Sequence, residues 1–540
     1  MVQAKNGLRN MRLELDGITI GVRADATARI PEGILLHGSS VALDLPFEPA
    51  RFYRHGWQSW SLTTWQGPGE RIPCPRPALL LPMQTDPRHA RDDRPNGSWV
   101  GAVEQPDGRI LLLGALGLET HVALEGNRLI GWSEARPGEW LATVGAEPEA
   151  FRRYASMIRS ALGCGRAGDP PRVWCSWYSL YAAIDEQILH RVIDQVTGMP
   201  FEVFQVDDGW QSGIGDWEAN RKFPSGMKAL AARIRDAGFV PGLWLAPLLA
   251  APSSRLHREH PEWLLRDGRG KLVSAGFNWG EPLRTLDCAR PEVLAWLAAL
   301  MRKVRAWGFG YAKLDFLYAG ALPGVRGNGM PREAAYRTAL RVMREALGDA
   351  YLLACGAPVI PSVGLCDALR VGPDVAAAWD VPRDSVLLAN HATPGARNAV
   401  RTTVHRLWLD PLVHVDPDVV YFRTHRCTLD SAEKGVVRDL ASVCGFRATS
   451  DIPGQLAPDE RANLLAFLAA RPRVERTGRY TFMLGGTPVD FSPAVPLPAP
   501  MRIAGALVGW LAGRRSVLQL FDRLQRRAFA RVVKEDFARS

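Results

Sequence analysis

The chain has 540 residues, 47% of them hydrophobic and 23% charged, and a formal net charge of +10. This composition excludes a disordered or fibrous protein, and the length predicts two or three domains. The basic residues are spread along the chain, so nucleic acid is not an expected partner, and no phosphate loop, dinucleotide fingerprint or metal-ligand cluster offers a rival chemistry.

Residues 1–165 carry short alternating segments, among them 11–15, 40–45 and 109–113, separated by Gly, Pro, Asn and Asp. With no long amphipathic helix expected there, this texture predicts an N-terminal β-sandwich. Residues 165–171 read as a linker. From 172 to 472 apolar runs alternate with helical stretches, which predicts a (β/α)8 barrel. Its strands are expected at 173–177, 203–207, 240–245, 311–316, 351–355 and 367–371, with the seventh near 405–409 and the eighth at 419–422. Helices are expected from about Asp185, at 226–237 and at 291–307, the last with Asp287 as N-cap. A doubly wound open sheet or separate domains are the competing layouts.

Residues 473–540 read as a reduced C-terminal region: strand-like pieces including 479–484, a proline-rich stretch at 493–500, and a basic amphipathic helix. In that helix Val517, Leu520, Phe521, Leu524, Ala528 and Val532 share one face. The face is expected to pack on the barrel or to join a second copy in a homo-oligomer, and contact with a membrane surface is the competing reading. The eight cysteines show no CxxC pair or regular spacing, which predicts reduced thiols and neither a zinc site nor a disulfide framework. The first residues lack the apolar core of a signal peptide, and no run of about 18 apolar residues occurs, so the expected location is the cytoplasm.

Two acids stand out. Asp315 and Asp374 close the expected fourth and sixth strands, each with a cation close by, Lys313 and Arg370. In such barrels the chemistry sits at the C-terminal ends of the strands. Two carboxylates delivered there from different strands are what glycosidic bond cleavage requires. Asp207 and Asp208 close the second strand, directly before Trp210 and shortly before Asp216-Trp217. Acids beside indoles suit a sugar, whose hydroxyls donate to carboxylates while its C–H face lies on a ring. Turn aspartates and structural ion pairs are the plainer readings of the same residues. His257, His260, His405, His414 and His425 are scattered and read as surface or packing residues.

The order and spacing of FQVDDGW (204–210), GDWEANRKFPSGM (215–227), GLWLAP (242–247), HPEW (260–263), YAKLDF (311–316), ACG (354–356), RVGPD (370–374) and DPDVVYFR (416–423) resemble the α-galactosidases, or melibiases, of glycoside hydrolase family 36. These share a clan with the family 27 enzymes. The GWQSWS segment at 56–61 extends the resemblance into the N-terminal domain. The resemblance implies a retaining exo-α-galactosidase working without cofactor or metal, with Asp315 as nucleophile and Asp374 as acid/base. It implies that Asp207 and Asp208 bind the galactose 4- and 6-hydroxyls, and that Lys313 and Arg370 hold ring hydroxyls. Trp244, Trp177, Tyr178 and Cys355 would line the pocket, and Trp57 and Trp60 would reach it on a loop from the sandwich. Asp416 and Asp418 would be supporting acids.

Chemistry adds expectations of its own. Lys313 shares a strand face with Asp315 and should keep it ionised. Asp374 should be held protonated by the charge of Asp315, with Arg370 turned toward the sugar. The sequence departs from commoner family members at 355–361, where a serine- and glycine-rich stretch is replaced by CGAPVIP, and at the C-terminus, where they carry a small β-sandwich. The first departure leaves α-N-acetylgalactosaminidase open. A galactosyl transferase of the raffinose-synthase type and a non-catalytic carbohydrate-binding barrel fit the same motifs.

Overall fold

The computed structural model describes residues 9–165, 168–381, 391–498 and 513–539. Arg166 and Ala167 of the expected linker, and the end of the proline-rich stretch from 499 on, lie outside the described residues. The alternating N-terminal segments pair into two antiparallel sheets of six and seven strands. The strand Ile110–Ala115 shows why they stack. Side chains alternate along a strand, so Leu111 and Leu113 enter the core between the sheets with Ile20, Val22, Leu43 and Trp140. Ile110 and Leu112 point the other way and join the cluster that continues into the barrel. At this strand the seven-stranded sheet is therefore buried on both faces.

What covers it is a helix. Glu147–Leu162 buries Ala150, Phe151, Tyr154, Ala155 and Ile158, and Tyr154 Oη donates to Ala115 O at 2.9 Å. The expectation that 1–165 holds no long amphipathic helix is corrected here. Its apolar residues recur at helical spacing, with Pro148 in the first turn.

Eight parallel strands follow: Arg172–Cys175, Val203–Val206, Val240–Leu245, Tyr311–Leu314, Tyr351–Ala354, Ala368–Arg370, His414–Asp416 and Arg447–Thr449. Their order in the sheet is sequential, with the first strand pairing both the second and the eighth. A doubly wound sheet reverses its order at a switch point; this one does not. The helices Glu186–Val196, capped by Asp185, and Pro291–Trp307 stand where the sequence predicts them.

Three expectations are corrected. The segment 405–409 is not a strand: the helix Ala396–Val404 ends there and the turn Leu407–Leu409 follows. A short apolar run does not distinguish a strand from a buried helical segment. The seventh strand is His414–Asp416 and the eighth Arg447–Thr449. Residues 419–422 instead form the closure, where Val420 bridges Thr449 and its N–H donates to Ala448 O at 2.9 Å. Finally, the N-cap of Pro291–Trp307 is Arg290, while the Asp287 carboxylate takes the N–H of Ala289.

Beyond the barrel, Val474–Arg476, Thr481–Leu484 and Thr487–Asp490 form a small antiparallel sheet, and Arg515–Arg539 is helical. The tail helix turns a different face inward from the one predicted. Leu520, Phe521 and Leu524 are exposed, while Gln519, Phe529 and Asp536 make the contacts with the barrel rim. No helix among the described residues is long and apolar enough to cross a membrane.

Candidate active site

Each strand end delivers one part of the mouth. Asp207 follows the second strand, and its Oδ2 accepts from Lys313 Nζ at 2.9 Å and Gln205 Nε2 at 2.6 Å. Lys313 is buried, and its ammonium is pulled well above the usual range because Asp207 and then Asp315 outweigh the cost of burial. The nearest partner of Lys313 is thus Asp207 and not Asp315, the neighbour its strand position suggested. Asp208 accepts from Trp279 Nε1 at 2.7 Å and from Gln211 Nε2 at 2.5 Å. Burial still raises its pKa against those two bonds.

Asp315 ends the fourth strand with its N–H on Leu245 O at 2.7 Å. Trp244 Nε1 donates to its Oδ2 at 3.0 Å, and the Phe316 N–H to its Oδ1 at 2.8 Å. Phe316 itself sits at φ +53°, a costly conformation for a bulky residue. Cys355 is buried beside this acid, and burial followed by the charge of Asp315 pushes its thiol far up.

Asp374 stands on the other wall, after the sixth strand. Its pKa is raised to about 7, by burial first and then by Asp418, against the opposing charges of Arg370 and Lys313. Asp315 adds a smaller push in the same direction, so the expected source of the shift is corrected: Asp418 acts more strongly. Arg370 is not turned away from Asp374 as expected. Its Nη1 lies 3.2 Å from Asp374, its Nε 2.9 Å from Asp416 and its Nη2 2.8 Å from Asp418. Three carboxylates share one guanidinium, and Arg370 does not offset the burial and the Asp418 charge that raise Asp374. Tyr178 Oη donates to Asp418, which also takes the Val375 N–H at 2.9 Å.

Of the two sandwich tryptophans expected at the pocket, only one comes to it, on the Asp315 wall. Trp60 packs edge-on against Phe316 at 5.1 Å and Tyr318 at 5.9 Å. Gly356 lies under it at φ +52°, where a Cβ would meet the Trp60 ring at 2.9 Å. Trp57 instead points into the junction of sandwich and barrel: Nε1 donates to Glu333 at 3.0 Å and Arg332 covers its ring. Trp177 lies at the rim, edge-on to Tyr181 at 5.2 Å.

Sequence reading missed Trp279, Gln205 and Gln211, which orient the paired acids, and undervalued Asp418. It also missed Arg406, buried in the segment 405–409 that was expected to be a strand. Arg406 donates to Ser59 O at 2.6 Å, Val371 O at 2.7 Å, Gly56 O at 2.8 Å and Gln58 O at 3.1 Å. It holds the 56–61 loop against the sixth strand. Only the DDGW context hinted at Gln205; nothing local marks the others. Among the described residues no group of three or more His, Cys, Asp or Glu side chains is arranged for a metal ion.

Buried carboxylates from four strand ends, two cations and a ring of indoles at the mouth of an eightfold barrel define the class: a barrel glycoside hydrolase. Comparison with known proteins narrows this. The melibiase profile matches residues 148–344. An α-galactosidase from Thermus thermophilus, solved with p-nitrophenyl α-D-galactopyranoside, is 49% identical and superposes with a TM-score of 0.87 over 90% of this chain and 100% of its own. The same enzyme solved with stachyose is 50% identical over 85% of this chain and 99% of its own, with a TM-score of 0.82. The α-galactosidase AgaA of Geobacillus stearothermophilus is 28% identical over 215 residues, 35% of this chain and 27% of that protein. This chain thus aligns with only about a quarter of that longer relative. It belongs to glycoside hydrolase family 36, the melibiase family.

Proposed function

We propose that the chain is a retaining exo-α-galactosidase that releases terminal α-linked galactose from neutral oligosaccharides. The observation that carries this reading is the pair of carboxylates held in opposed environments. Asp315 accepts from two N–H donors, and Asp374 is raised to about 7.

Asp315 attacks the anomeric carbon as the glycosidic C–O bond breaks, and Asp374 gives its proton to the departing oxygen. Asp374, now ionised, takes a proton from water, which attacks the same carbon and frees Asp315. Two inversions give net retention, the outcome of carboxyl groups about 5–5.5 Å apart. An acid/base with a pKa near the working pH serves both half-reactions.

The hydroxyl contacts follow from lone-pair counting. Asp207 Oδ2 is filled by Lys313 and Gln205, and its Oδ1 takes the Asp208 N–H at 2.9 Å. Asp208 receives one bond on each oxygen. Each carboxylate oxygen accepts about two bonds, so Asp208 keeps more capacity than Asp207 for the galactose 4- and 6-hydroxyls. The ligands named for the Thermus protein, an aryl galactoside and a neutral galactosyl oligosaccharide, support the substrate class. Buried thiols such as Cys175, Cys355 and Cys366 support a reducing, cytoplasmic setting.

The test is hydrolysis of p-nitrophenyl α-galactoside followed by NMR before mutarotation. First-formed α-galactose is the expected product, and β-galactose would overturn the mechanism. Matched α-glucosides, whose equatorial 4-hydroxyl misses the paired acids, are expected to react at least ~100-fold more slowly, about 2.7 kcal/mol. Equal rates on both sugars would remove Asp207 and Asp208 from this role.

A further inference from the structure

The helix Arg515–Arg539 touches the rim of the barrel at three places. Gln519 Nε2 donates to Gly280 O at 3.3 Å, next to Trp279, whose indole holds Asp208. The Asp522 carboxylate lies against the same glycine, where a Cβ would come within 3.1 Å of it. Further along, Phe529 stacks on Tyr181 with centroids 4.0 Å apart and planes at 16°. Asp536 then pairs with Arg426 at 3.0 Å and His425 at 3.3 Å. Gly280 belongs to the loops after the third strand, Tyr181 to the loop after the first, and Arg426 to the segment leading to the eighth. From Gln519 to Asp536 the helix covers about 25 Å. It therefore runs along the rim over the arc of strands three, two, one and eight.

Midway along this path stands Arg526, held by Asp522 Oδ2 at 2.9 Å. Its charge reaches both Asp208 and Lys222. The opposite arc, over strands four to six, is occupied by the 56–61 loop, which pairs with the 357–358 segment through Ser59 and Gln58. The leaving group of an exo-acting enzyme extends outward from the pocket, so it must pass between these two segments.

We propose that the tail helix is the outer wall of the substrate entrance, and that Arg526 and Phe529 determine which leaving groups fit. A helix about 10 Å across on one arc of the rim admits a galactosyl unit at the end of a slender chain. It blocks one that branches from the interior of a polysaccharide, because the polymer would extend across the rim in both directions. This rests on the galactosidase reading above.

The test uses the full chain. Phe529→Asp combined with Asp536→Arg removes two anchors of a helix whose outer face is solvent-exposed, and Arg526→Ala removes the central cation. For each protein, kcat/KM is measured on p-nitrophenyl α-galactoside, stachyose and galactomannan. The galactomannan-to-aryl ratio is expected to rise at least fivefold in the double variant and by less in Arg526→Ala. A general loss of stability would lower all three substrates together and leave the ratio in place. Ratios within twofold of the parent in both proteins would overturn the proposal. Failure of the parent on the aryl galactoside would instead overturn the galactosidase reading, so the two failures are distinguishable.

Discussion

Asp315 and Asp374 are the same residue type at equivalent ends of two barrel strands, yet their surroundings differ throughout. Asp315 is fixed by an indole N–H and by its neighbour's backbone N–H, between aromatic walls. Asp374 is mostly enclosed, 29% exposed at its side chain, and answers to charges as well: Arg370 at 3.2 Å on one side, Asp418 on the other. Donors aimed at a carboxylate favour the anion, whereas burial near a second carboxylate favours the acid. Both walls hold non-glycine backbone at positive φ, Phe316 at +53° and Asp418 at +84°. Conformations of that kind persist only where the surroundings enforce them. On the proposed roles, one side chain is fitted to two tasks: by what donates to it and by what repels it.

The comparison breaks most sharply on removal of the proposed nucleophile. Asp315→Ala is expected to lose about 10⁵–10⁶-fold on every substrate, the scale of removing a catalytic nucleophile. Exogenous azide should restore turnover to β-galactosyl azide, checked by NMR of the product. Substantial residual rate on dinitrophenyl galactoside without azide would move the nucleophile elsewhere.

Asp374→Ala is expected to cost about 10²–10⁴-fold on oligosaccharides, the usual worth of general acid catalysis. Dinitrophenolate leaves without a proton, so that substrate should still give a burst followed by slow turnover, and azide should yield the α-azide. Equal inactivity on both substrates, or azides of the opposite configurations, would mean that the two roles are assigned the wrong way round.

A smaller effect is expected from Trp244→Phe, which keeps the ring and deletes the donor to Asp315. A hydrogen bond to a charged group is worth about 1.5–3 kcal/mol, so kcat should fall about 10- to 100-fold with KM little changed. A change confined to KM would make the indole a substrate contact and not a support of the acid.

The smallest effect tests the other wall. Since Asp374 is raised to about 7, kcat/KM on oligosaccharides should decline as pH rises through that value and the proton to be donated is lost. Asp418→Asn removes the largest charge holding that proton on and leaves Arg370 less shared, so the alkaline limb should move to lower pH, with a severalfold drop at pH 7. A pH profile that does not move would show that burial alone sets Asp374. The same sign applies to stability. Asp374 is protonated more readily in the folded chain, so its contribution is fullest below its ordinary value near 3.8 and is lost as pH rises toward 7.

The sequence by itself determined the barrel and where its acids lie. Six of the eight strands, the helix Pro291–Trp307 and the acids Asp207, Asp208, Asp315 and Asp374 are legible because apolar periodicity and strand-end position are local properties. The seventh and eighth strands are not, because His414–Asp416 and Arg447–Thr449 each hold one apolar residue between polar ones, so no apolar run marks them. What only the tertiary structure decided were the partners: that Lys313 pairs with Asp207, that Arg370 serves three carboxylates, that Trp57 belongs to the domain junction and Trp60 to the site, and which face of the tail helix turns inward. These contacts join residues far apart in the chain. Their energies depend on distance and burial, which no run of neighbouring residues encodes.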